Sequence, residues 1–444
     1  MKSTTLATYA LTGATFLAMA AEKVPWVTDE EREFVKNRVV KVEGIPGTPE
    51  GDAKRFYSNK ELTEYVEFNY DESKAGEGTY TLEDPLSFAD GRKLKDKSEW
   101  PARRREILRI FENEVYGRMP PPPETLVVEK RSEKLTPDRF AWERRYRIYF
   151  RADKTGPVID WVVFIPVHAA KPCPVILHLN YKGNDVVASG RTNHYLLPLG
   201  DIAAHGYAFM SAQYTQITSD GKEKPEADFY NGVCELWGPR DPRAGDNPGS
   251  LIVWAWGLSR GLDLAERIEE IDAKRNVVTG SSRLGKAALL AAAFDERFQV
   301  CVPNQTGAVG VQLMKRDYGE SLKGQRLSLA HWYCRNVWKY MDDPKSQPFD
   351  QHLLVACVAP RALLLECYHK RWFDPTGEFL AAKAASPAWE FLVGKGLGLA
   401  EMPPPYCEDH VRPPFGYVRR TECHGLSPYD WKWTLDFADR VFKK

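Results

Sequence analysis

The chain has 444 residues, with 61 Lys plus Arg against 61 Asp plus Glu and a formal net charge of zero. No net field draws it to nucleic acid or to an anionic membrane surface, so neither is expected as a partner, and any charged ligand must be recognised locally. The length and the 43% of hydrophobic residues allow a large buried core and speak against disorder.

The first residues, MKSTTLATYALTGATFLAMAAEK, combine a lysine, an apolar stretch interrupted by threonines, and Ala18-Met19-Ala20 in the small-x-small pattern that signal peptidase accepts. A bacterial-type secretory signal is expected over 1–20, giving a secreted or periplasmic protein. No later apolar run approaches the length of a bilayer span. Residues 21–78 are polar and charged with little periodicity, and are expected to form an irregular N-terminal extension to a main domain over 79–444. Eight cysteines (Cys173, Cys234, Cys301, Cys334, Cys357, Cys367, Cys407 and Cys423) are scattered without CxxC spacing, so neither a zinc site nor a dense disulfide framework is indicated. Those in apolar runs read as small core residues.

Trp100-Pro101 opens a helix through ARRREILRIFENEVYG, where Ile107, Phe111 and Val115 share one face and Gly117 ends it. Pro120 to Pro123 then forbid helix. Strand-like runs follow: RYRIYF, VIDWVVFIPV, PVILHLNY, YAFMSAQY, NVVTGS, FQVCVPNQ and ALLLECY. Helical patterns separate the later ones, including VWAWGLSRGLDLAERIEEI, GKAALLAAAF and the C-terminal DWKWTLDFADRVF. Strands apolar on both faces, alternating with helices, indicate a mostly parallel sheet covered on both sides. The fold class is therefore α/β, a three-layer α/β/α sandwich.

Two serines compete as a nucleophile. GLSRG (257–261) fits Gly-x-Ser-x-Gly literally, and GSSRLG (280–285) fits it with one extra residue before the second glycine. A nucleophile elbow needs a strand before the serine and a helix after it. Ser259 lies within an amphipathic helical pattern that continues to Ile271, whereas Ser282 follows the strand NVVT and precedes a helix. Ser282 is favoured; the competing reading is a Gly-Ser turn that only caps a helix. A serine also needs a base to take its proton. His424, in TECHGLSPYDW ahead of the last helix, stands where an α/β-hydrolase would carry it, while His331 and His178 read as packing residues within a helix and a strand.

The blocks GSSRLGKAALLAAAFDERFQ, AWGLSRGLD, DPLSFADGRKLKDKSEWPARRREILRIFENEVYGRMP, RWFDPTGEFLAA and HGLSPYDWKWTLDFAD together resemble the glucuronoyl esterases of carbohydrate esterase family 15, in order from about Asn69 to the C-terminus. The resemblance implies an α/β-hydrolase that cleaves the ester between a (4-O-methyl-)glucuronic acid branch of xylan and a lignin alcohol. It implies no metal or organic cofactor and a glucuronoxylan or lignin–carbohydrate ester as the partner; a monomer is expected. It makes Ser282 the nucleophile, His424 the general base and Arg283 an oxyanion-stabilising group. Lys286, Glu320 and Trp372 become ligands of the sugar.

The sequence departs from the family at the third triad member. Where the family places a carboxylate, this chain has Gln305, in PNQTG, and Lys370. Gln305 can accept the imidazole N–H but cannot stabilise an imidazolium by charge. Glu366, Asp374 and Glu422 are the carboxylates that could replace it. Two alternatives stay open, a glucuronoxylan-binding protein with impaired catalysis and a sugar acetylesterase. Ser281 stands where many members have a cysteine paired with one beside the histidine, so Cys423 is expected to form no such disulfide. In the loop NYKGND, Asp185 replaces the family's usual histidine.

Overall fold

The computed structural model describes residues 38–42, 55–59, 69–76, 78–191, 197–220, 231–238, 244–421 and 424–442. The proposed signal over 1–20 lies outside them. Within the stretch 21–78, expected to be irregular, β1 (Arg38–Val42) pairs antiparallel with β2 (Arg55–Asn59).

The remaining strands form one nine-stranded sheet: β3 (Val127–Leu135), β4 (Ala141–Tyr149), β5 (Val158–Pro166), β6 (Cys173–Asn180), β7 (Ala208–Gln213), β8 (Ile271–Ser281), β9 (Val300–Asn304), β10 (Ala362–Tyr368) and β11 (Phe415–Arg420). Their spatial order is β11-β10-β9-β8-β6-β7-β5-β4-β3. The six strands from β11 to β7 are parallel, and β5, β4 and β3 continue the sheet antiparallel. Alternate residues of one strand serve opposite cores, as a doubly covered sheet requires. Val175, Leu177 and Leu179 of β6 pack into one cluster and Ile176 into the other; Val278 and Val277 of β8 divide the same way.

The larger cluster is covered by α1 (Trp100–Phe111), α2 (Ser250–Ala265), α3 (Arg283–Phe294) and α4 (Pro375–Val393), which contribute Phe111, Trp254, Leu289 and Trp389 among others. The smaller is closed by α5 (Pro428–Phe442) through Trp431, Leu435 and Phe437. The α/β/α sandwich expected from the sequence is the fold observed.

The helix around Ser259 differs from its expectation in length and character. It ends at Ala265, and Ile271 opens β8 beside Cys173 of β6 instead of closing the helix. Every residue of α2 except the half-buried Asp263 is buried, so the helix is enclosed on all sides and not amphipathic.

Candidate active site

The parallel strands end together at one rim, where open α/β sheets place their ligands. At that rim β8 runs to Ser281 and α3 starts at Arg283, with Ser282 between them at φ 60° and ψ −127°. A side chain held at that φ costs about 1–3 kcal/mol, so the surrounding contacts must enforce it. Two glycines let them do so. A Cβ on Gly280 would lie 2.5 Å from the Leu284 carbonyl oxygen, and one on Gly285 would lie 2.7 Å from that of Asn304. The Ser282 N–H donates to the Asn304 carbonyl at 2.9 Å, while its side chain makes no capping hydrogen bond to α3. The hydroxyl is thus not consumed as a helix cap, and it sits at the electropositive end of a twelve-residue helix. Ser259, by contrast, is buried inside α2.

Gln305 follows Asn304 at the end of β9. Its Oε1 lies 2.7 Å from His424 Nδ1 and accepts the Gly425 N–H at 3.0 Å. The Gly425 bond fixes which atom of the amide faces the loop. A backbone N–H needs an acceptor, so the oxygen must point there, and Nδ1 must then carry the proton. The neutral imidazole keeps Nε2 as its basic nitrogen. The ring stands against Phe373 and Trp372, at centroid distances of 4.9 and 6.4 Å.

The alternative carboxylates serve other partners. Glu366 is fully buried and accepts from Asn304 Nδ2 at 3.0 Å and from Thr434 Oγ1 at 2.9 Å; burial and the nearby Asp430 push its pKa up. Asp374 caps α4 through Gly377 N–H and pairs with Arg316 at 2.8 Å. Glu422 and Cys423 lie outside the described residues. Every described cysteine is free. Beneath the Gln305 loop, Glu378 accepts the Gly307 N–H at 3.1 Å and the Thr306 hydroxyl at 3.3 Å, and burial pushes its pKa up to about 7.

Arg283 and Lys286 project from the first turn of α3 onto one indole. The Arg283 guanidinium carbon is 4.7 Å and the Lys286 amine 5.2 Å from the Trp332 ring centroid. Arg283 Nη1 is bonded to Asp220, and its Nε has no hydrogen-bond partner among the described residues. Lys286 is buried, with the Glu320 charge acting on it. The Glu320 N–H donates to the Trp372 carbonyl at 2.9 Å, which ties these two residues together beside the His424 ring. Ser282, Arg283, Lys286, Gln305, Glu320, Trp372 and His424 are thus gathered at one place.

Sequence reasoning missed Trp332 and Asp220 and misjudged His331. His331 packs edge-on against Trp332, and its Nε2 also lies 3.1 Å from Asp220 Oδ1, so beyond packing it belongs to the arginine's surroundings. His178 is buried in β6 between Phe209 and Trp431, as its apolar neighbours implied. The NYKGND loop contributes Tyr181, whose hydroxyl donates to the Ser281 carbonyl at 2.7 Å.

A parallel sheet ending in a strained serine elbow, with a tautomer-fixed histidine ahead of the last helix, defines the α/β-hydrolase class. Comparison with known proteins narrows it. The family model described as glucuronyl esterase, fungi, matches residues 157–393. The carbohydrate esterase MZ0003 of an unknown prokaryotic organism is 31% identical over a 400-residue alignment that covers 84% of this chain and 91% of that protein. The 4-O-methyl-glucuronoyl methylesterase of Cerrena unicolor is 29% identical over a 331-residue alignment that covers 72% of this chain and 63% of that longer protein. A solved glucuronoyl esterase from Solibacter usitatus has a TM-score of 0.74 at 33% identity, covering 84% of this chain and 100% of its own. The chain belongs to the glucuronoyl esterase family, carbohydrate esterase family 15.

Proposed function

We propose that the protein is a serine carbohydrate esterase that hydrolyses esters of (4-O-methyl-)glucuronic acid, as in links between glucuronoxylan and lignin, and acts as a single exported chain. The observation that carries this reading is the Gln305 oxygen shared by His424 Nδ1 and the Gly425 N–H, one residue from the carbonyl that holds Ser282. With Nδ1 protonated, Nε2 takes the Ser282 proton as Oγ bonds to the ester carbon. Arg283 and the N–H groups at the start of α3 meet the oxyanion that develops. Collapse breaks the bond to the alcohol oxygen, which leaves with the proton from His424. Water, deprotonated by the same nitrogen, then releases the uronic acid from Ser282. Lys286, Glu320 and Trp372 hold the sugar: the amine and carboxylate pair with ring hydroxyls, and the indole supplies an apolar wall.

The neutral Gln305 also favours a second reading, sugar binding without turnover. It withholds the charge that would stabilise the imidazolium, though it keeps the tautomer correct. In serine proteases the Asp-to-Asn change costs roughly 10⁴ in turnover because the tautomer is wrong. The penalty here is confined to the missing charge. The purified chain is expected to hydrolyse benzyl glucuronate and to leave acetylated xylan untouched, with Ser282→Ala abolishing turnover. Deacetylation without uronate ester cleavage would make it an acetylesterase. Saturable glucuronoxylan binding with no turnover would make it a binding protein.

A further inference from the structure

Asp220 follows the short helical turn after β7, and four side-chain donors from three separate parts of the chain converge on its buried carboxylate. They are Arg283 Nη1, Trp332 Nε1 at 2.7 Å, Tyr214 Oη at 2.8 Å and His331 Nε2 at 3.1 Å. An ionised carboxylate offers about four acceptor positions and no donor, so this set fills it. The indole and the guanidinium can only donate. An amide oxygen at 220 would serve about two of the four and turn its own N–H groups toward the others. The site therefore requires a charged carboxylate. Burial opposes that charge, but the His331 hydrogen bond and the Arg283 charge outweigh it and hold the Asp220 pKa well below the ordinary range.

We infer that Asp220 is a positioning residue for the oxyanion arginine, clamping one end of the Arg283 guanidinium against Trp332 so that its remaining donors are set before charge develops on the substrate. This rests on the reading of Arg283 given above. A guanidinium bonded at Nη1 and laid 4.7 Å from an indole centroid loses most of its rotational freedom, and its Nε–H is left without a partner among the described residues. Fixing donors in advance lowers the barrier without strengthening ground-state binding.

Loss of Asp220 should thus appear in kcat and not in sugar affinity. In the full chain acting on benzyl glucuronate, Asp220→Asn is expected to lower kcat by about 10²–10³, the usual cost of losing one oxyanion donor. Glucuronic acid affinity, measured in the Ser282→Ala background, should stay within about threefold. In an Arg283→Ala background the Asp220 substitution should cost nothing further, because the residue acts only through the arginine. Tyr214→Phe removes one of the four donors and preserves the charge; it should give a smaller loss of kcat that likewise disappears without Arg283. Equal losses with and without Arg283, or a parallel fall in glucuronic acid affinity, would overturn the inference and leave Asp220 a general support of the fold. If Arg283→Ala itself leaves kcat unchanged, the oxyanion reading of Arg283 fails, and the role given to Asp220 falls with it.

Discussion

Lys286 lies one turn into α3, nearly enclosed, beside Trp332. Burial pushes its pKa down to about 8, against the opposing pull of the Glu320 charge. The amine can bond the sugar hydroxyls in either form, but only the ammonium also attracts the uronate charge, so product binding must weaken as pH rises through that value. Titration calorimetry of glucuronic acid with Ser282→Ala is expected to show affinity falling as pH rises through about 8. Lys286→Met should bind weakly and without that dependence; wild-type affinity constant to pH 10 would remove Lys286 from the ligand set. At this scale the sequence was informative where chemistry is local. The turn at Ser282 is legible from the strand before it and the small residues around it. Asp220 does not, because its partners at 283, 331 and 332 lie 63 to 112 residues away and its own surroundings read as a polar loop. His331 was misjudged for the same reason, since its meaning comes from a carboxylate that only the fold supplies.

Among the elements, β11 shows how a strand can hide. FGYVRR carries two arginines, which suggest surface, yet all six residues are buried. Arg420 Nε bonds both oxygens of Asp430, at 2.9 and 2.8 Å, and its Nη2 reaches the Gly425 carbonyl. Asp430 accepts the Ser427 N–H at 2.6 Å as well. The pair therefore joins the end of β11 to the start of α5 and spans the loop that carries His424. Removing one member leaves a buried charge unpaired, so Asp430→Ala is expected to cost about 3–5 kcal/mol in urea unfolding and to lower activity on uronate esters. A loss under about 1 kcal/mol would show that the pair is dispensable. β3 escaped notice for the opposite reason: its charged sequence, VVEKRSEKL, is exposed from Lys130 to Lys134 at the sheet's edge, where charges also discourage edge-to-edge pairing. The overlong α2 reflects a pattern that continues after the backbone has turned. GLDLAERIEEI keeps helical spacing, but Ile271 is needed for the ladder with β6.

Across the whole molecule, the parallel half of the sheet was legible because its strands are apolar on both faces, and the order of strand and helix then leaves few topologies. The site follows from that order: the elbow after β8, the Gln305 loop after β9, the Trp372 loop after β10 and the His424 loop after β11 all open at the same rim. What sequence could not supply was which of the two acid positions, Gln305 or Lys370, faces the histidine; the structure has Gln305 there. The geometry gives that glutamine the place of an acid, with its oxygen already committed to both donors and its Nε2 buried without a partner among the described residues. A carboxylate of the same shape could keep both bonds and add charge. The most direct measurement is therefore kcat on benzyl glucuronate for the wild-type chain and Gln305→Glu, with Ser282→Ala as the blank. Slow, Ser282-dependent turnover is expected in the wild type and a rise of about tenfold or more in Gln305→Glu, with the acid limb of the rate profile moved to higher pH. Turnover that survives Ser282→Ala, or a Gln305→Glu variant that folds, binds glucuronic acid and is no faster, would contradict this mechanism.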